Sequence, residues 1–265
     1  MDSEKTLSLQ ETLAGLPPAI ETTDLAADIN RRQSVGSLPV LVVLDDDPTG
    51  TQTCHGINVL TVWDQHTLLE EFQTGTNGFF ILTNSRALPT PEARELIRTI
   101  CQAVKDAAST ARKDFEVVLR GDSTLRGHFP DEPEVAEEVI GQANGWILAP
   151  FFRQGGRLTI NNVHYVADAE GNLVPAAQTP FAKDATFGYK NSNLVQYVVE
   201  KSKGSIPAEQ VQSISLDDIR TGGPELVAKG LLSFDENAVI IVNAVVDTDM
   251  EIFVKGLLEG WYRIV

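Results

Sequence analysis

The chain reads as an α/β protein: an open, mostly parallel sheet flanked by helices, with a small antiparallel hairpin added to it. Three observations predict this. Short runs rich in Val, Ile and Phe recur without alternating polar and apolar residues, as strands buried on both faces of a parallel sheet do. Amphipathic helical patterns fall between several of these runs. The stretch NNVHYVADAEGNLVPA differs, because two short runs flank Glu170-Gly171-Asn172, and this predicts the hairpin.

Residues 1–37 read as an N-terminal appendage or linker. There SLQETLAGLPPAIETTDLAADINRRQ has weak helical periodicity broken by Pro17-Pro18, and SVGS is linker-like. Residues 38–265 read as the α/β domain. Its strands are expected at Val40–Leu44, Ile57–Val62, Phe79–Thr83, Phe115–Leu119, Trp146–Ala149, Val211–Leu216 and Ala238–Asn243. The helix in TPEARELIRTICQAVKDAASTAR is expected to open with Thr90 as N-cap and Pro91 at its first position. Ile97, Ile100, Cys101, Val104 and Ala108 then fall on one apolar stripe. Asp247 is expected to cap TDMEIFVKGLLEG in the same way.

A chain of 265 residues, 42% hydrophobic and 22% charged, is able to bury a core. Its 37 acidic and 21 basic residues leave a net charge of −16, which argues against nucleic acid or an anionic membrane as partner. An anionic ligand would have to be met by locally clustered arginines. Cys54 and Cys101 lack the spacing of a zinc site or disulfide scaffold, and reduced thiols are expected. The N-terminus lacks a signal-peptide pattern, and no apolar run approaches the ~18 residues of a membrane span, so a cytoplasmic protein is expected.

The stretch LVVLDDDPTGTQT carries the chemistry. In open α/β sheets, ligands sit beyond the carboxyl ends of the strands, and Asp45, Asp46 and Asp47 occupy that place after the first strong strand. Adjacent carboxylates repel, so at least one should be hard to ionise unless a cation or donor offsets it. Three further loops follow strands in the same manner. FILTNSRALP offers Thr83, Asn84, Ser85 and Arg86; VVLRGDSTLRGHF offers Arg120, Asp122, Ser123, Thr124 and Arg126; ILAPFFRQGGRLT offers Arg153, Gln154, Gly155, Gly156 and Arg157. Guanidinium groups suit carboxylate or phosphate, and Asp, Asn, Ser and Thr suit hydroxyls. Together the loops fit a small polyhydroxylated anion, provided that they converge on one cleft. There is no phosphate-binding G-x-x-x-x-G-K-[ST] loop, no G-x-G-x-x-G after a strand, no metal-type His pair and no G-x-S-x-G elbow. His55, His128 and His164 lie in or near these loops.

These segments resemble the N-terminal sugar-binding domain of the four-carbon acid sugar kinases. LDDDPTGTQT, FILTNSRAL, VVLRGDSTLRGHF, APFFRQGGRLTINNVHYV and TPFAKDATFGY follow in the family's order, and IVNAVVDTDMEIF resembles the end of that domain. The resemblance implies ATP-dependent phosphorylation of a terminal hydroxyl of a tetronate or oxo-tetronate, with the sugar site in one α/β domain and the nucleotide site in a second. It implies that Asp46 or Asp47 acts as general base. Asp45, Thr49, Gly50, Asn84, Ser85, Arg86, Asp122, Ser123, Arg126, Arg153, Gly155 and Arg157 would hold the substrate. ATP and Mg²⁺ are expected cofactors of the family. The nucleotide domain would follow where the chain stops at GWYRIV, so the nucleotide site is expected outside this chain, on a further domain or a second subunit. No metal ligand is assigned within it. Asn243 stands where an aspartate is expected.

Two other readings fit part of the pattern. LVVLDDDPT matches the first motif of haloacid-dehalogenase-like phosphotransferases, with Asp45 as nucleophile and Asp47 as acid/base. That family's last motif wants a second acid within a few residues of Asp122, whereas the next is Asp131. The chain could also be a non-catalytic protein that binds a sugar acid.

Overall fold

The apolar runs become strands and the amphipathic stretches between them become helices. The computed structural model describes residues 5–21 and 23–260; most of the closing GWYRIV lies outside them. In chain order the strands are β1 (Leu7–Ser8), β2 (Val40–Asp45), β3 (Val59–Leu60), β4 (Gly78–Leu82), β5 (Phe115–Arg120), β6 (Gly145–Leu148), β7 (Arg157–Ile160), β8 (Val163–Ala167), β9 (Asn172–Pro175), β10 (Val211–Ile214) and β11 (Ala238–Val242). The helices are α1 (Leu9–Gly15), α2 (Leu25–Ser34), α3 (Gln65–Gln73), α4 (Thr90–Ala111), α5 (Asp131–Ile140), α6 (Leu194–Lys201), α7 (Leu216–Arg220), α8 (Gly223–Ser233) and α9 (Asp247–Gly260). Among the described residues, no helix is long and apolar enough to cross a membrane.

The parallel strands form two sheets, which fall in separate units of the chain. Of the described residues, one unit takes Ala27–Asp122 and Gly127–Ala143, and the other takes those up to Ala26, Ser123–Arg126 and 144–260. In the first unit the sheet order is β3-β4-β2-β5, parallel throughout, with β2 between β4 and β5. Val40, Val42 and Leu44 alternate along β2 and enter the core with Phe79, Ile81 and Val117. They meet Leu68 and Phe72 of α3, Ile97, Ile100 and Val104 of α4, and Val135 and Ala136 of α5. Each Val, Leu, Ile or Phe among them contributes about 1.5–3 kcal/mol by leaving water. Leu41 and Val118, expected to be buried like their neighbours, are 45% and 36% exposed. Alternation along a strand sends them to the face opposite these helices.

In this unit α4 keeps its apolar stripe, with Ile97, Ile100, Cys101, Val104 and Ala108 all buried. Its N-cap is Pro89, which makes no side-chain capping bond, and Thr90 and Pro91 are already helical. The Thr90 hydroxyl is used instead on the ring of His128, at 3.3 Å. The strand expected over Ile57–Val62 shortens to β3, whose Val59 is exposed.

The second unit contains the parallel sheet β10-β11-β6 and the antiparallel sheet β1-β9-β8-β7. All five residues of β11 are buried, and Ala238, Ile240 and Val242 cluster with Val227 and Leu231 of α8 and Ile252 and Phe253 of α9. Backbone bonds between Thr159 and Ala244 join the two sheets. The hairpin β8–β9 forms as expected, its turn closed by Asp168, which accepts from the amides of Glu170 and Asn172. Gly171 there has φ +83°, which a residue with a Cβ rarely adopts. β10 stops at Ile214, short of the expected Leu216, because Ser215 and Asp218 form a capping box that starts α7. At α9 the capping role falls to Asp249 and not to Asp247. Asp249 Oδ2 accepts from the amides of Val245 and Val246, and its carboxylate takes a bidentate pair from Arg220 at 2.8 Å.

The segment read as an appendage carries β1, α1 and α2. β1 pairs with β9 through Leu7↔Leu173 and Ser8↔Asn172. Leu7, Leu9 and Leu16 pack against a cluster containing Leu158, Ile160, Tyr165 and Leu173.

Candidate functional site

The acid turn grows out of the carboxyl end of β2. Its backbone is tied to both neighbouring strands: Asp45 O accepts from Thr83 N at 2.9 Å, and Asp46 N donates to Arg120 O at 3.2 Å. The three carboxylates meet three different environments. Asp45 is fully buried, and its Oδ1 accepts from Arg120 Nη1 at 3.2 Å. Gly50 closes over it so tightly that a Cβ there would lie 2.2 Å from both carboxylate oxygens. Burial raises the Asp45 pKa, opposed by Arg120.

Asp46 is also buried, with Arg86 Nε at 3.7 Å and Arg120 Nη1 at 4.0 Å. Its Oδ2 faces the glycine-flanked loop: Cβ atoms on Gly121 and Gly127 would stand 3.7 and 3.6 Å away. Burial pushes its pKa up to about 7, with Glu132 and Asp45 adding to the rise and Arg86 and Arg120 opposing it. Among the described residues, Asp45 Oδ2 and Asp46 Oδ1 are buried without a hydrogen-bond partner.

Asp47 is the half-buried member. Burial acts to raise its pKa, but hydrogen bonds from the Thr49 hydroxyl at 2.5 Å and amide at 2.8 Å, together with the Arg86 guanidinium, hold it below the ordinary value. Thr49 and Gly50 thus shape the turn itself. Asp122 lies 3.9 Å from Arg86 Nη1, so one guanidinium serves three carboxylates.

Asn84, with φ 53°, turns the chain after β4 and delivers Ser85 and Arg86. Ser85 is buried and donates from Oγ to Glu132 Oε1 at 2.5 Å. Its carbonyl accepts from His128 Nε2 at 3.1 Å, so the other ring nitrogen takes the Thr90 hydroxyl. Burial raises the Glu132 pKa, with the Ser85 bond opposing.

A second group lies in the other unit. The Ser123–Arg126 segment is held by three buried side chains: His164 Nε2 donates to Ser123 O at 2.8 Å, Tyr189 OH to Thr124 O at 2.8 Å, and Tyr197 OH to Leu125 O at 3.0 Å. This fixes Leu125 at φ 67° and brings the Arg126 guanidinium 5.2 Å from the centroid of the Phe181 ring. The Arg157 guanidinium lies 5.5 Å from the same centroid, within cation–π range. Asp184 is 3.9 Å from Arg126. Gly155 is required beside them, since a Cβ would meet Phe152 at 2.5 Å and Arg157 Nη1 at 2.6 Å. Arg153 is engaged elsewhere, with Asp247 at 3.0 Å.

Thus Asp45, Asp46, Asp47, Thr49, Gly50, Ser85, Arg86 and Asp122 gather in one unit. Arg126, Gly155 and Arg157 gather around Phe181 in the other. Sequence reasoning missed Glu132, Phe181 and Asp184. The only signal for the last two was their presence in TPFAKDATFGY. Asn243 has a structural reason for not being an aspartate. Its Oδ1 accepts from Asn162 N, while its Nδ2 donates to Asn162 Oδ1 and Ile214 O, both at 2.9 Å, and a carboxylate could make only the first bond. No group of three or more His, Cys, Asp or Glu able to hold a metal ion occurs among the described residues.

A scan against protein-family models matches residues 41–262 to the sugar-binding N-terminal domain. No curated protein matches the chain in sequence. Among solved structures, one neighbour is a Bordetella bronchiseptica protein with a domain of unknown function, DUF1537, crystallised with bound citrate as a domain-swapped dimer. It has TM-score 0.63 and 20% identity over 86% of this chain and 54% of that one. A Haemophilus influenzae protein of the same DUF1537 family has TM-score 0.61 and 17% identity, over 84% of this chain and 52% of that one. This chain therefore spans about half the length of the solved structures it matches.

Proposed function

From the premise that this chain belongs to the family of sugar-binding N-terminal domains, we propose that it is the sugar-acid-binding part of a four-carbon acid sugar kinase acting in the cytoplasm. The ligand is a tetronate or oxo-tetronate. Its hydroxyls are bound by the acid turn, and Asp46 is the general base that takes a proton from the attacking hydroxyl.

The observation that carries this reading is Asp46 itself. A carboxyl with a pKa near neutrality, at the end of a central parallel strand, is suited to accept a proton at working pH. Asp47, held ionised by Thr49 and Arg86, suits binding of a hydroxyl donor better than proton uptake. The Arg126 and Arg157 guanidiniums, paired on one ring, suit a carboxylate. ATP and Mg²⁺ are proposed to act on a nucleotide-binding domain or subunit, and no step is assigned to them on these residues.

The alternative with Asp45 as a phosphoryl-accepting nucleophile is disfavoured. That carboxylate is fully buried, bonded to Arg120 and covered by Gly50. Calorimetry with threonate and erythronate tests the proposal. Binding by the wild type, weakened at least about tenfold in Asp46→Asn with the fold retained, supports it. No binding of any four-carbon sugar acid at millimolar concentration refutes it.

A further inference from the structure

Beside the two arginines that share the Phe181 ring stands one acid that carboxylate binding leaves unexplained. Asp184 is half-buried, and its Oδ1 accepts from the amides of Thr186 at 2.8 Å and Phe187 at 2.9 Å. Gly188 closes the same turn. Its amide donates to Asp184 O at 3.0 Å, and a Cβ there would stand 2.6 Å from that oxygen. The carboxylate is thus held by its own loop, and its other oxygen, Oδ2, lies 3.9 Å from Arg126 Nη1. That separation is too long for a hydrogen bond. At this contact Asp184 offers Arg126 charge and leaves room for another acceptor.

The arginines are anchored in a way that suits such an acceptor. Arg126 Nε donates to the Thr124 hydroxyl at 3.2 Å, and Arg157 Nη1 donates to Gly155 O, so each guanidinium is oriented by a neutral group. Arg157 Nε is buried without a hydrogen-bond partner. A buried donor left unpaired costs stability, and an incoming oxyanion would satisfy it.

We propose that Asp184 is the specificity-determining residue of this anion site: its fixed negative charge lets the Arg126–Arg157 pair take a singly charged carboxylate and turns away doubly charged oxyanions, such as sulfate or a phosphate group. The reasoning is Coulombic. Repulsion from a fixed charge is proportional to the charge of the ligand, so Asp184 opposes a dianion twice as strongly as a monoanion at the same place. Two arginines with no acid beside them would favour the dianion. The inference deepens the reading of Arg126 and Arg157 as the group that holds the sugar-acid carboxylate, and it rests on that reading.

The experiment is calorimetry on the full chain near neutral pH, with threonate as the singly charged probe and inorganic sulfate as the doubly charged one. Asp184→Asn keeps an Oδ1 acceptor for the Thr186 and Phe187 amides and removes the charge. Sulfate should gain about the square of the factor that threonate gains, roughly tenfold against roughly threefold. The sulfate gain should disappear when Arg157→Ala is added. Equal factors for the two anions, or no gain for sulfate, overturn the proposal, because a purely structural role for Asp184 would not move the preference between them. Should the asparagine variant not fold, Asp184→Ser decides by the same comparison, since its hydroxyl can also accept from the amides. Failure of the wild type to bind any sugar acid removes the proposed function, and the sulfate measurement then stands alone. A roughly tenfold gain that depends on Arg157 upholds the role of Asp184, and unchanged sulfate binding ends it.

Discussion

Replacing Asp46 by asparagine should stabilise the protein, and by more as the pH rises. The folded chain holds a proton on Asp46 up to about pH 7, against an ordinary value of 3.8. Between those limits the unfolded chain has released a proton that the folded chain still binds, so stability falls as pH increases. Below the lower limit both forms are protonated, and above the upper one both are ionised, so the slope is confined to that window. At about 1.36 kcal/mol for each tenfold change in proton affinity, the ionised folded form carries a penalty on the order of 4 kcal/mol at pH 8. Asparagine has nearly the same shape and no charge to desolvate. Part of the gain is returned, because Arg86 lies against Oδ2 and Arg120 against Oδ1, so the amide NH₂ of asparagine must face one of the two guanidiniums. A net stabilisation of about 2 kcal/mol at pH 8, vanishing near pH 4, is expected. Urea unfolding followed by tryptophan fluorescence at several pH values measures it. A variant no more stable than wild type at pH 8, or a gap that does not widen from pH 5 to pH 8, would refute the reasoning.

Other perturbations follow from the same contacts. Gly50→Ala places a methyl group against the buried Asp45 carboxylate; it should cost about 1–3 kcal/mol by overpacking, and a melting temperature equal to wild type would contradict the geometry. Arg126→Ala and Arg157→Ala should each weaken sugar-acid binding by about 2–3 kcal/mol if the guanidinium holds the ligand carboxylate; calorimetric dissociation constants unchanged in both would remove them from the site. Asn243→Asp should destabilise by about 1–3 kcal/mol, because a buried carboxylate would face the acceptor oxygens of Asn162 and Ile214. Its urea midpoint measured against wild type is the check, and an unaltered midpoint would count against the hydrogen-bond assignment.

Much of the architecture was legible because it depends on local pattern. The apolar stripe of α4 and the run Val40–Leu44 state their own burial, and the turn after Ala167 states the hairpin. What stayed hidden depends on pairing across the chain. Periodicity carries no strand order, so nothing announced that β6 would join β10 and β11 and not β2. Leu41 and Val118 look like their buried neighbours, and only the placement of helices on one face separates them. At the site, the three aspartates stood out, but their division of labour did not. It comes from Gly50 covering Asp45, from Thr49 bonding Asp47, and from the burial of Asp46. Glu132 looked like an ordinary acid in a helix's first turn, a favourable place for one. Its partner Ser85 is 47 positions earlier.

The pairing of β1 with β9 has a consequence for how the protein is made. Leu7 and Ser8 leave the ribosome well before Asn172 and Leu173, so the edge they complete does not exist until those later residues have been synthesised. Until then the apolar side chains of Leu7, Leu9 and Leu16 have no cluster to join. Contacts so distant in sequence slow folding, since the intervening loop must close before they bring any reward. The β1 segment is therefore made well before the edge it docks on, and during that interval its apolar side chains are open to chaperones and proteases.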